Sequence, residues 1–136
     1  MYKRQLDDGA LVLELDLDAL EALGAAIPKF RPIPALPAAT RDLALVVHDG
    51  VPAGDVAQAI RAAAGELCES VEIFDLFRGA NMPAEHRSLA FHVVYRDPLA
   101  ATRPQQARTL TDAEVDQRHA AVIGAVGERF GATLRA

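Results

Sequence analysis

The sequence predicts an α+β domain of order β-α-β-β-α-β, an antiparallel sheet with both helices on one face. Three observations predict it. Residues 41–47, 70–77 and 87–96 alternate along the chain with a period of two, and a short fourth segment, 132–135, closes it. Two segments with apolar residues spaced by whole helical turns fall between the strands: one at 53–64, the other opened at Thr111. Gly65 and Gly131 stand where each helix must stop. This order is the split, ferredoxin-like arrangement. Right-handed crossovers put both helices on the same side of the sheet and leave the other side bare.

The elements follow in chain order. Residues 11–17, LVLELDL, put Leu11, Leu13, Leu15 and Leu17 on one side, which predicts a strand. Asp18 is placed to cap a short helix through Leu20 and Leu23, stopped by Gly24. Prolines 28, 32, 34 and 37 follow, and a stretch that lacks so many N–H groups is an extended connector. One strand and one short helix cannot bury a core. Residues 1–28 therefore read as the tail of a preceding domain, 29–40 as a linker and 41–136 as the domain itself.

Within the domain, RDLALVV (41–47) carries Leu43, Leu45 and Val47 on one face. AGDVAQAIRAAA (53–64) is an alanine-rich helix with Val56 and Ile60 one turn apart. VEIFDLF supplies most of the second strand, and RSLAFHVVYR the third. Thr111 and Glu114 match a capping box. The helix they open lines up Val115, His119, Val122, Val126 and Phe130, with Asp112, Glu114 and Asp116 in its first turn, where the macrodipole favours them.

Strand parity then sorts the residues. Leu43, Leu45, Val47, Phe74, Leu76, Leu89, Phe91, Val93 and Tyr95 are expected to face the helices. Ala44, Val46, Ile73, Asp75, Phe77, Ser88, Ala90, His92 and Val94 are expected on the open face. Pairing Phe77 with Ser88 sets Asp75 against Ala90 and Ile73 against His92, all on one face as the pleat requires. The connection RGANMPAEHR is long for a hairpin, and such loops commonly carry function.

Composition excludes several roles. The chain is 51% hydrophobic and 24% charged, with no run long enough to span a bilayer and no apolar leader at its start. One cysteine, Cys68, cannot form an internal disulfide; it reads as a small residue at a helix-to-strand junction and fits a reducing, cytoplasmic setting. The four histidines lack ligand spacing, so no metal site is expected. No serine or cysteine has an evident base. Arg78, Gly79 and Asn81 lie in the hairpin rather than in a strand-to-helix turn, which argues against an acylphosphatase-like anion site. The net charge is −5, but residues 29–110 hold nine basic and nine acidic groups, so the body of the chain is neutral and does not repel RNA strongly.

The open face has its own chemistry. An exposed ring on a sheet is a platform for an unpaired base, and Asp75 beside it accepts from a guanine N1–H and N2–H₂. Ser88 adds a hydroxyl opposite Phe77, and His92 is a second ring on the same face. From the residues alone two roles stay open: base recognition, or packing against another domain, a small molecule or a second copy.

The runs RDLALVV, ESVEIFDLFRG, RSLAFHVVYRDP and RTLTDAEV…ERFGATLR, in that order, resemble the ferredoxin-fold anticodon-binding domain that ends the β chain of bacterial phenylalanyl-tRNA synthetases. KFRPIPALPAATRDLAL is similar to the linker entering that domain, and LVLELDLDAL to the end of the catalytic-like domain before it. The resemblance covers about residues 10–136. It implies that the open face and the hairpin hold the anticodon of phenylalanine tRNA. It implies that Asp75, Phe77 and Ser88 contact the first anticodon base, a guanine, with Arg78, Ala90 and His92 as further RNA-contacting candidates. It further implies a longer parent β subunit that pairs with a catalytic α chain in a heterotetramer and uses ATP and magnesium; none of those catalytic residues falls in this sequence. Family members often have tyrosine where Phe77 stands. Two stretches depart from the pattern. LAATRPQQA, between Pro98 and Arg108, lengthens a connection usually only a residue or two long and reads as a surface insertion. MYKRQ, residues 1–5, matches nothing in the family and reads as a translation or cloning scar.

Overall fold

A computed structural model describes residues 13–24, 30, 33–79 and 81–135. The chain divides into two units, Met1–Arg31 and Pro32–Ala136, and the break falls inside the proline-rich stretch. In the first unit, residues 13–16 form no strand and a short helix, α1, spans Leu17–Ala22. Its cap is Asp16, not Asp18: the Asp16 carboxylate accepts from the backbone N–H of Asp18 and Ala19 at 3.0 and 3.1 Å. That cap draws Leu17 into the first turn, where its alternation with Leu13 and Leu15 loses its meaning. Gly24 takes the left-handed conformation just past the end, with φ of 70°. The expected scar at 1–5, Leu11, Val12 and prolines 28 and 32 lie outside the described residues.

The second unit is the ferredoxin-like sheet. Its strands are β1 (Ala39–His48), β2 (Cys68–Phe77), β3 (His86–Tyr95) and β4 (Thr133–Leu134), arranged β2-β3-β1-β4 with every pair antiparallel. Helix α2 (Ala53–Ala64) joins β1 to β2 through a 3₁₀ turn at Gly65–Leu67, and α4 (Asp112–Phe130) joins β3 to β4. Both helices stop at glycines with positive φ, Gly65 and Gly131. Strand β1 begins at Ala39, two residues inside the expected linker, because Ala39 and Thr40 find partners in Tyr95 and Val94.

One face of the sheet is the core. Leu43, Leu45 and Val47 from β1 and Leu89, Phe91, Val93 and Tyr95 from β3 meet Val56 and Ile60 of α2 and Val115, Val122 and Val126 of α4, all buried. Alternation on the strands and whole-turn spacing on the helices converge on this single layer, whose apolar burial drives folding. The capping box at the start of α4 is complete. Thr111 Oγ1 accepts from Glu114 N–H at 3.3 Å, and Glu114 Oε2 accepts from Thr111 N–H at 2.9 Å. Arg108 adds two bonds to the same carboxylate at 2.8 and 2.5 Å; with the Thr111 donors it holds the Glu114 carboxyl down at about 2.

The stretch after β3 is folded rather than trailing. It contains α3 (Leu99–Thr102), with Ala100 buried. A single carboxylate closes it: Asp97 accepts from Leu99 N–H at 2.8 Å and from Arg108 N–H at 3.1 Å, and these bonds hold its carboxyl below the usual range. Arg96, just before it, donates to the carbonyl of Leu36 and to Glu69 at 2.8 Å, which ties the end of the connector to β2 and β3.

One buried polar contact carries a pH dependence. The Tyr95 hydroxyl lies 3.0 Å from Nδ1 of His119 on α4. Burial pushes the phenol up to about 12, with nearby Cys68 adding to the effect. Burial, and then the charge of Arg41, push the His119 imidazole below its ordinary value, against a smaller opposing pull from Asp116. A histidine whose folded value is depressed binds its proton more readily in the unfolded chain. Stability is therefore undiminished above the unfolded value near 6.5 and falls as pH drops through it towards the folded value. Urea denaturation at pH 7.5 and 5.5 is expected to show a loss on acidification that His119→Gln reduces. An equal loss in both proteins would assign it to other groups.

Candidate nucleic-acid interface

The uncovered side of the sheet is built in cross-strand rows. The first row runs Phe77, Ser88, Val46 and Thr133 across β2, β3, β1 and β4. The second runs Asp75, Ala90 and Ala44, and the third Glu72, His92 and Asp42. Successive rows are two residues apart on β1 and β3, about 6.7 Å along each strand; on β2 the second and third rows stand three residues apart.

The pairing of Phe77 with Ser88 and of Asp75 with Ala90 agrees with the parity reading, but Ile73 does not oppose His92. A β-bulge between Ile73 and Asp75 leaves Phe74 without a partner and sets Ile73 against Phe91 and Glu72 against His92. Ile73 and Phe74 thus exchange the faces expected of them. Ile73 joins the helix side, where it stays about half exposed at the sheet edge; Phe74 crosses to the open side and stacks on His92, ring centroids 3.9 Å apart and planes 11° off parallel. A second bulge between Cys68 and Ser70 extends β2 back to Cys68, which is half-buried and whose thiol burial pushes up.

Phe77 is 37% exposed and does not stand alone. The guanidinium of Arg135 lies 4.3 Å from its ring centroid, so side chains from the two outer strands meet over the first row. Beneath that bridge Ser88 is only 2% exposed, although the pleat predicted an available hydroxyl. The Arg135 N–H donates to the carbonyl of Ala44, which fixes the backbone from which this side chain leaves. Arg135 was not among the candidates expected from the sequence, although it ends the expected fourth strand, 132–135; its parity with Thr133 was the available signal. A groove of about 390 Å³ opens here, lined by Val46, Phe77, Met82, Pro83, Thr133 and Arg135 among others.

The ring also needs Gly79. A Cβ at that position would stand 2.5 Å from Cζ of Phe77, closer than any real contact. Gly79→Ala is expected to shift the Phe77 ring and Arg135 side-chain resonances while changing stability by less than about 0.5 kcal/mol, since both groups lie at the surface. Unchanged Phe77 resonances would show that the ring does not rest against this glycine.

The remaining candidates are placed as follows. Arg78, at the start of the hairpin connection, pairs with Asp49 at 3.0 Å. Ala90 is nearly buried and forms a small floor in the middle row. His92 is held by Asp42, its Nδ1 2.6 Å from Oδ1. Among the described residues no three histidine, cysteine or acidic groups cluster as metal ligands would, and no helix is long and apolar enough to cross a membrane. The site therefore offers ring faces, carboxylates and a guanidinium around a shallow groove, a set suited to holding a flat polar ligand by stacking and edge contacts.

Comparison with known proteins finds relatives along nearly the whole chain. The family described as the ferredoxin-fold anticodon binding domain matches residues 34–135. The chain is similar to the phenylalanine–tRNA ligase beta subunits of Anaeromyxobacter dehalogenans, 43% identical over 130 residues, and Moorella thermoacetica, 41% identical over 131. That of Geobacillus kaustophilus is 44% identical over 125 residues. These alignments cover 96%, 96% and 91% of this chain, but only 15%, 15% and 14% of the relatives.

Proposed function

The chain belongs to the family of ferredoxin-fold anticodon-binding domains, and from that premise we propose that its open sheet face reads the anticodon of phenylalanine tRNA. The observation that carries the reading is that Asp75 and Phe77, with the Arg135 guanidinium over the Phe77 ring, share the sheet face opposite α2 and α4. A base stacks on Phe77 once Arg135 swings aside, and the same movement uncovers the Ser88 hydroxyl. Asp75, an acceptor, then takes the N1–H and N2–H₂ of a guanine, and the freed guanidinium meets the phosphate of that nucleotide. Ala90 supplies a floor low enough for the base to approach, and Arg78 and His92 lie at the flanks.

On this reading the domain is a non-catalytic part of a phenylalanine–tRNA ligase. Residues 1–28 are the tail of the domain before it, and the stretch from residue 29 to the start of β1 at Ala39 is its linker. The parent enzyme works in the cytoplasm with a catalytic α subunit in a heterotetramer. ATP and magnesium supply the adenylate chemistry there, and no residue of this chain takes part in it.

Chemical-shift mapping with an RNA hairpin whose loop carries GAA, the complement of a phenylalanine codon, tests the assignment. Shifts are expected at Asp75, Phe77, Ser88 and Arg135. Shifts confined to α2 and α4 would remove the open face from the reading.

A further inference from the structure

The third row, Glu72, His92 and Asp42, is not used by a single base on Phe77. It lies four residues along β3 from Ser88, about 13 Å away, with the small middle row between. Its chemistry is specific. An ionised carboxylate only accepts, so the 2.6 Å bond to Asp42 puts the imidazole proton of His92 on Nδ1. In the neutral ring Nε2 is then an acceptor, and it has no hydrogen-bond partner among the described residues. Phe74 covers one face of the imidazole and fixes its plane. Glu72, exposed on the adjacent strand, brings another acceptor. A row of acceptors flanked by carboxylates repels a phosphate and favours a ligand edge that donates. On an unpaired base the two-proton form of that edge is the exocyclic amino group of adenine, cytosine or guanine; uracil offers only its ring N3–H, set between two carbonyl acceptors that this row repels.

We propose that Glu72, His92 and Asp42 form a second base-reading point, selecting an exocyclic amino group on the nucleotide two positions along from the one held by Phe77. This rests on the anticodon reading above and extends it from one base to the span of a triplet. His92 Nε2 and the Glu72 carboxylate make the contacts. Asp42 and Phe74 are positioning residues: one fixes the tautomer, the other the plane of the ring.

The test uses the whole chain and three RNA hairpins. The first carries GAA, the second has inosine for guanine, and the third has purine riboside, adenine without its amino group, at the third position. Loss of one hydrogen bond is expected to weaken binding about three- to tenfold. The wild-type chain should show that loss with both altered hairpins. His92→Phe keeps the stack on Phe74 and lacks Nε2; it should narrow the difference between the first and third hairpins while still discriminating against inosine. Asp42→Asn should weaken third-position discrimination in the same way, which a purely structural role would not do. If His92→Phe keeps full discrimination at the third position, or wild type has none there, the second reading point is wrong while the Phe77 site stands. If the wild-type chain does not distinguish guanine from inosine, the anticodon reading fails with it.

Discussion

Replacing Phe77 by alanine is expected to weaken binding to a GAA hairpin by about 1–3 kcal/mol, roughly 5- to 150-fold. The ring offers the face on which a base stacks, and alanine offers none. Folding should hardly change. Phe77 lies on the side of the sheet away from the core, and its one notable partner is the Arg135 guanidinium, a contact worth about 0.5–1 kcal/mol at an exposed site. A titration of labelled hairpin, paired with a urea melt of each protein, separates the two effects. Unaltered RNA affinity together with the loss of a dimer would favour the competing view, in which this face packs against a second copy.

Phe91→Ala should do the reverse. Phe91 sits on the same sheet, fully buried on the helix side between Leu43 and Ile73. Truncation removes its apolar transfer energy and leaves a cavity that β1, β2 and two helices cannot readily close, at a cost of about 3–5 kcal/mol. Against a total of roughly 5–15 kcal/mol for a domain of this kind, that is a large share. The urea midpoint should drop sharply with little change in slope. A loss under 1 kcal/mol would mean that the packed layer lies elsewhere.

The two substitutions lie on opposite sides of one pleat, and that division was legible in the sequence because β1 and β3 alternate without interruption. Helix ends were legible too, since Gly65, Gly131 and the Thr111–Glu114 pair each do one recognisable job. The bulge at Phe74 was not. Ile73, Asp75 and Phe77 alternate smoothly on paper, and one unpartnered residue leaves no compositional mark. Register anchored at Phe77 and Ser88 held as far as Asp75; beyond the bulge Ile73 and Phe74 changed sides. In residues 13–16 a periodic leucine pattern formed no strand, because Asp16 caps a helix at the next residue. Arg135 and the bond from His92 to Asp42 join residues 58 and 50 positions from their partners, distances over which periodicity says nothing.

Strand β2 is the outermost of the four and ten residues long, with β3 its only neighbour among the described residues. A straight unpaired border of that length would invite a neighbouring molecule to zip on and seed fibrils. Its two irregularities break the ladder into short, mismatched pieces, and Glu72 and Asp75 along it would confront their own copies in a parallel, in-register docking. The kink that turns Phe74 toward His92 therefore also helps keep a concentrated solution of this chain from gelling.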